Sequence, residues 1–195
     1  MIFVLGNGLS RKAVEISWLK RRGLVYACNA AYRLDTPDVL VATDQPIATE
    51  IQSCGYSLKN TFYTRRPVNG TGALQLPKKI FGHSSGPAAV ALASDQPEET
   101  QIYLIGFDLG GTVDGKFNNL YAGTKFYRPP EAPVTFAGNW VRQIAAVCKE
   151  HPEKNYIRII GETTNNDCPE LDELQNVGQQ SFDSFFVELN SRKDL

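Results

Sequence analysis

Five short, mainly apolar runs punctuate the chain, at 2–5, 24–28, 39–43, 102–105 and 156–160, with Thr43 and Arg158 as the polar residues among them and most of the runs rich in β-branched side chains. A strand with one wet face alternates polar and apolar positions. A continuous run marks a strand buried on both faces, so these five predict a sheet covered on each side. Between them the apolar spacing changes to three and four. In 11–20, Ala13, Ile16 and Leu19 share a side, 47–53 and 88–94 read as helices, and in 139–150 Val141, Ile144, Ala145 and Cys148 fall on one face. Strand and helix alternate, which predicts a single α/β domain over 1–195: Rossmann-like, with a mainly parallel sheet and helices on both faces.

Two stretches break this rhythm and are read as long loop insertions. The first, 55–83, contains Arg65-Arg66-Pro67 and Asn69-Gly70-Thr71-Gly72; the second, 107–136, contains Gly110-Gly111, Gly115, Gly123 and Arg128-Pro129-Pro130. Loops of this length in a compact domain are usually functional. The tail, 167–195, is expected to carry a helix around 181–190, where Phe182, Phe185, Phe186 and Leu189 stand at helical spacing. Such a stripe suits packing against the domain, with a homo-oligomer or partner contact as the alternative.

Composition narrows the class. A chain of 195 residues, 42% hydrophobic and 21% charged, can bury about 70% of its unfolded surface in one core. Its net charge of −1 argues against a dedicated nucleic-acid binder, although 1–33 carries Arg11, Lys12, Lys20, Arg21, Arg22 and Arg33 against Glu15 alone. Cys28, Cys54, Cys148 and Cys168 show no metal-ligand spacing and pair with neither His83 nor His151, so no metal site is expected. A reducing cytoplasm is the expected home, and no apolar run reaches the 18 or so residues of a membrane span.

The candidate chemistry lies at strand ends. Gly6-Asn7-Gly8-Leu9-Ser10 follows the first apolar run, and Ser84-Ser85-Gly86 precedes the small-residue stretch 87–93. Each places small residues where a helix is expected to begin, with Ser10 a candidate cap, so both are read as sources of unpaired backbone N–H groups for a phosphate. The third glycine of a dinucleotide fingerprint is replaced by Arg11, which argues against NAD. Gly110 to Lys116 nearly spells a P-loop, but Phe117 stands where a magnesium-binding hydroxyl belongs, so that reading is rejected. Asn7, Asn29, Asp44 and Asp108 all fall at the expected carboxyl ends of strands, where open α/β sheets gather ligands. Each alone is an ordinary turn residue; the four together define a rim.

At these residues the chain resembles the bacterial sialyltransferases that use CMP-sialic acid, together with the motility-accessory and pterin-pyrophosphokinase-like proteins that share their nucleotide-binding core. The resemblance covers about the first 110 residues. It rests on Gly6 to Ser10, on Cys28-Asn29 with Tyr32, on Ser84 to Gly86, and on Gly106-Phe107-Asp108 after the run at 102–105. It implies a nucleotide or nucleotide sugar, such as a CMP-linked one, as the small-molecule ligand, contacted by Asn7, Asn29, Ser84, Ser85 and Gly86. Asp44 stands where the family has another asparagine, and Tyr121 or Tyr127 would hold the leaving phosphate without a metal cofactor. The family's catalytic histidine, expected shortly before 139, has no counterpart in 134–138, so no catalytic residue is assigned. Three functions follow: a metal-independent glycosyltransferase, an inactive nucleotide-binding or interaction module, and a magnesium-dependent pyrophosphokinase relying on Asp44 and Asp108.

Overall fold

The computed structural model describes residues 1–135, 137–162 and 167–192. Eight strands form one sheet: β1 (Ile2–Leu5), β2 (Leu24–Cys28), β3 (Val39–Ala42), β4 (Thr61–Thr64), β5 (Leu74–Gln75), β6 (Gln101–Ile105), β7 (Asn155–Ile160) and β8 (Val177–Ser181). Their order is β5-β4-β3-β2-β1-β6-β7-β8, and every neighbouring pair is parallel. The alternation of continuous apolar strands with helices therefore gives an α/β domain of the expected class.

The helices are α1 (Ile16–Lys20), α2 (Gln45–Ser53), α3 (Ser85–Ser94), α4 (Gly138–Glu150), α5 (Pro169–Asp172) and α6 (Phe182–Ser191). Successive strand residues face opposite ways, so each central strand feeds two cores. Ile2, Val4, Ile102 and Leu104 pack with Val90 of α3, Ile144 of α4 and Leu171 of α5. On the other face Phe3, Leu5, Tyr103 and Ile105 pack with Leu19 of α1, Ile51 of α2 and Phe185 of α6. The tail helix covers the sheet: Phe185 is fully buried, its ring centroid 5.3 Å from Tyr103 and 6.2 Å from Phe3.

Three elements depart from expectation. The stretch 55–83 is not a plain loop, because β4 and β5 lie within it. β4 is Thr-Phe-Tyr-Thr, too short to register as an apolar run, and β5 is two exposed residues. β8 reads Val-Gly-Gln-Gln-Ser and is mostly exposed, as an edge strand can be. The helix expected over 11–20 is interrupted: a 3-10 turn spans Leu9–Ala13, Val14 is extended, and α1 begins at Ile16. The interruption accompanies an inward-turned Arg11, whose Nη2 donates to Tyr121 Oη at 2.8 Å. By contrast 107–135 is irregular, with one isolated bridge between Lys116 and Pro133.

Candidate functional site

The chain steps outward from β1 to β5, then returns to lay β6 on the other side of β1. Such a reversal leaves a crevice outside the carboxyl ends of the two strands, because their following loops diverge to opposite sides. A cleft of about 250 Å³ lies there. Its wall includes Gly6, Asn7 and Gly8 from the β1 turn, Asn29 after β2, Asp44 after β3, Ser84, Ser85 and Gly86 at the start of α3, and Asp108 after β6. The turns near residues 7 and 85 thus face one hollow.

The two turns are not equivalent within it. In the first, nearly every amide is occupied: Gly6 N–H donates to Ile105 O at 2.8 Å and Gly8 N–H to Gly106 O at 2.8 Å. Leu9 N–H donates to Asn118 Oδ1 at 2.8 Å, and Ser10 N–H to Asp108 Oδ2 at 3.1 Å. Ser10 Oγ also donates to Asp108, so Ser10 is buried and does not line the cleft. Nor does it cap a helix, since the N-cap position of the 3-10 turn is Gly8. The glycines serve packing: a Cβ on Gly6 would run into the Gly106 carbonyl oxygen, and one on Gly8 into the Asp108 carboxylate. Gly106 itself has φ +72°, a conformation that favours glycine.

The second turn is open. Ser84 is the N-cap of α3, and its own N–H donates to Gln143 Oε1 of α4 at 2.8 Å. Ser85 Oγ accepts from Thr43 N–H at 2.9 Å and lies 3.0 Å from Thr43 Oγ1, pinning the helix start to the end of β3. The N–H groups of Ser85 and Gly86 precede the first intrahelical bond and, among the described residues, have no acceptor. Pro87 has no N–H to offer, so two amides and the positive end of a ten-residue helix face the cleft.

Side chains complete the chemistry. Asn7 Oδ1 accepts from Arg11 Nη1 at 3.3 Å, which leaves the Asn7 amide nitrogen free to donate. Asn29 has φ +52°, and among the described residues its buried Oδ1 has no donor and the buried Nδ2 of Asn118 no acceptor. Leu109, on the same wall, has φ +52° as well, a strain of about 1–3 kcal/mol for a side chain of its size. Asp44 is exposed, and among the described residues its carboxylate makes no hydrogen bond, whereas the Asp108 carboxylate is engaged by Ser10. Arg11 is 3% exposed, and its partners are the neutral Gly6 O, Asn7 Oδ1 and Tyr121 Oη; no carboxylate among the described residues pairs with it. An uncompensated buried cation beside the β1 turn favours anions nearby. Burial pushes the Cys28 thiol up to about 12 despite that cation, so this lining residue stays neutral near pH 7.

Tyr121 and Tyr127 lie outside the cleft wall. Their rings pack 5.6 Å apart; Tyr121 accepts from Arg11, and Tyr127 Oη accepts from Ala30 N–H at 3.4 Å. Burial raises both phenols, so they stay protonated. His83 does not line the cleft either; its backbone carbonyl accepts from Arg65 Nη2 at 2.6 Å, and burial lowers its imidazole pKa. Sequence reasoning missed Trp140 of α4 and Asn118 as wall residues. Trp140 carries no local signal, and Asn118 sits in an irregular loop where an asparagine reads as an ordinary turn residue.

The loop that supplies Asn118 is fastened down. Glu50 of α2 accepts from Lys125 Nζ at 2.6 Å, Arg33 Nη2 at 2.6 Å and Tyr32 Oη at 2.5 Å. The Lys125 ammonium, followed by the Tyr32 hydroxyl and Arg33, holds the Glu50 carboxyl down at about 2. Among the described residues no helix is long and apolar enough to cross a membrane, and no cluster of three metal-ligating side chains occurs.

Comparison with protein-family models, curated proteins and solved structures returned no match.

Proposed function

We propose that the switch-point cleft binds a nucleotide or nucleotide sugar, with its phosphate on the first turn of α3, and that the protein is a glycosyltransferase-like enzyme. One observation carries the reading: among the described residues the Ser85 and Gly86 N–H groups have no acceptor, at a helix start that lines the cleft. Two hydrogen bonds and a favourable dipole await an anion there, the dipole alone contributing about 0.3–1 kcal/mol. Asn29 Oδ1 suits a donor such as a nucleobase amino group or sugar hydroxyl, and Asn7 and Asn118 supply amide donors opposite. A CMP-linked sugar is the ligand the sequence resemblance implies. In transfer, the α3 amides would receive the charge that develops on the departing phosphate, and Asp44, the cleft carboxylate without a hydrogen bond, would take the acceptor's proton.

A binding module is the second reading, favoured because neither His83 nor His151 lines the cleft. A magnesium-dependent pyrophosphokinase is weaker, since Ser10 already occupies Asp108. A melting screen with CMP, CTP, other nucleotides and CMP-sialic acid, with and without magnesium, tests the reading. Ligand at 100 times Kd stabilises by about 2.7 kcal/mol. A magnesium-independent shift with turnover of CMP-sialic acid supports the transferase, a shift without turnover supports the module, and no shift with any nucleotide refutes both.

A further inference from the structure

A second cleft of about 300 Å³ adjoins the first, and Asp44 belongs to the walls of both. It lies outside the carboxyl ends of β3 and β4, between α2 and the chain after β4. Arg65, Arg66, Gln45, Gln52 and Thr49 are among its lining residues, so its character is polar and its side-chain charge, two guanidiniums against Asp44, is positive.

The two arginines are held without being neutralised. Arg65 Nη2 donates to His83 O at 2.6 Å, and its Nε is buried with no hydrogen-bond partner among the described residues. Arg66 Nη1 donates to Gln45 Oε1 at 3.2 Å. Among the described residues neither pairs with a carboxylate; Asp44, on the same wall, lies beyond ion-pair distance of both. The frame is rigid: Gln52, 6% exposed, accepts from Val68 N–H at 2.7 Å and Thr71 Oγ1 at 3.2 Å. Those two bonds tie the segment after Arg66 to α2, and within α2 the Gln52 Nε2 donates to Ala48 O at 3.1 Å. A buried, unpartnered guanidinium N–H in a preformed positive cleft lacks one thing, a planar or tetrahedral oxyanion able to accept from the fork.

We propose that this second cleft is a binding subsite for a carboxylate- or phosphate-bearing small molecule, held by Arg65 and Arg66. The claim concerns residues that the cleft at the β1/β6 switch does not use, and it stands whether or not that cleft takes a nucleotide. The Arg65 link to the His83 carbonyl places this subsite one residue from Ser84, the N-cap of α3. Where both clefts are filled, their occupants meet at Asp44, as two reactants of a transfer would.

The test is a titration at constant ionic strength with inorganic phosphate, with glucuronate and with neutral glucose, following the Arg65 Nε–H resonance by NMR. At least one anion is expected to move that resonance saturably at millimolar concentration, and glucose is expected to leave it unmoved. Arg66→Gln, which removes an exposed guanidinium hydrogen-bonded to Gln45 alone, should weaken the response several-fold. The double variant Arg65→Gln/Arg66→Gln, followed through the Thr49 and Gln52 amides, should weaken it at least tenfold. The Ser85 and Gly86 amides report the first cleft in the same spectra, so failure there is read separately. No saturable Arg65 response to either anion, an equal response to glucose, or undiminished binding in the arginine variants would overturn the proposal.

Discussion

The turn at 6–10 and the turn at 84–86 look alike as sequence and behave oppositely as structure. Both offer glycine and serine where the chain leaves a strand or loop for a helix. In the first, Asp108 and Asn118, reaching in from the loop after β6, accept from Ser10 and Leu9 and so occupy the place a ligand phosphate would take. In the second, the polar neighbours act elsewhere: Gln143 on Ser84 N–H and Thr43 on Ser85 Oγ, leaving two backbone amides uncovered. Whether a helix start receives a ligand depends on whether the protein supplies its own anion. That is decided by residues about a hundred positions away.

Glycine substitution should separate the two turns most sharply. Gly6→Ala drives a methyl into the Gly106 carbonyl, backbone against backbone, and should cost about 3 kcal/mol in urea unfolding. Gly86→Ala places its Cβ 3.2 Å from Phe107 Cε1, a side-chain atom able to give way, and should cost less than about 1 kcal/mol while weakening nucleotide binding. Equal losses would erase the distinction between a packed turn and an open one.

Asp108→Ala should convert the closed turn toward the open kind. Stranding the buried Ser10 N–H and hydroxyl costs about 1–3 kcal/mol, and inorganic phosphate should then recover part of that loss, as it does not for the parent protein. The reverse lever is Ser85→Ala, which removes the acceptor of Thr43 N–H and should cost about 1 kcal/mol. Its nucleotide affinity should fall with it, because the start of α3 loses its anchor to β3.

The smallest effect concerns the fastening of the loop that closes the first turn. Glu50 is held down at about 2 by Lys125, Tyr32 and Arg33. A carboxyl with a depressed native pKa stabilises fully above its unfolded value near 4.5, and this contribution fades as pH falls toward about 2. Side-chain resonances of Lys125 and Arg33 should therefore hold steady as pH falls through 4.5 and move only as it approaches about 2; a titration midpoint near 4.5 would contradict the assignment. Because the pair is partly exposed, the effect on global stability should be slight.

The comparison also marks where sequence reasoning stops. The apolar runs at β1, β2, β3, β6 and β7 are legible because a strand buried on both faces admits few polar residues, and Arg158, the buried exception in β7, is paired with Asp172. β8 escapes notice because an edge strand is held by its backbone and Val-Gly-Gln-Gln-Ser carries no pattern. Asn7, Asn29, Asp44 and Asp108 could be placed together from the rule that strand ends of a parallel sheet share a rim, and they share one cleft. That Asp108 serves Ser10, that Arg11 turns inward to Tyr121, and that Trp140 closes the wall are contacts between distant segments, on which local pattern is silent.

The most direct measurement is a backbone-amide NMR titration with CMP. The account predicts saturable shifts of the Ser85 and Gly86 N–H resonances, with those of Gly8, Leu9 and Ser10 held in place by their internal acceptors. Shifts confined to Leu9 and Ser10, or none at Ser85 and Gly86, would contradict it.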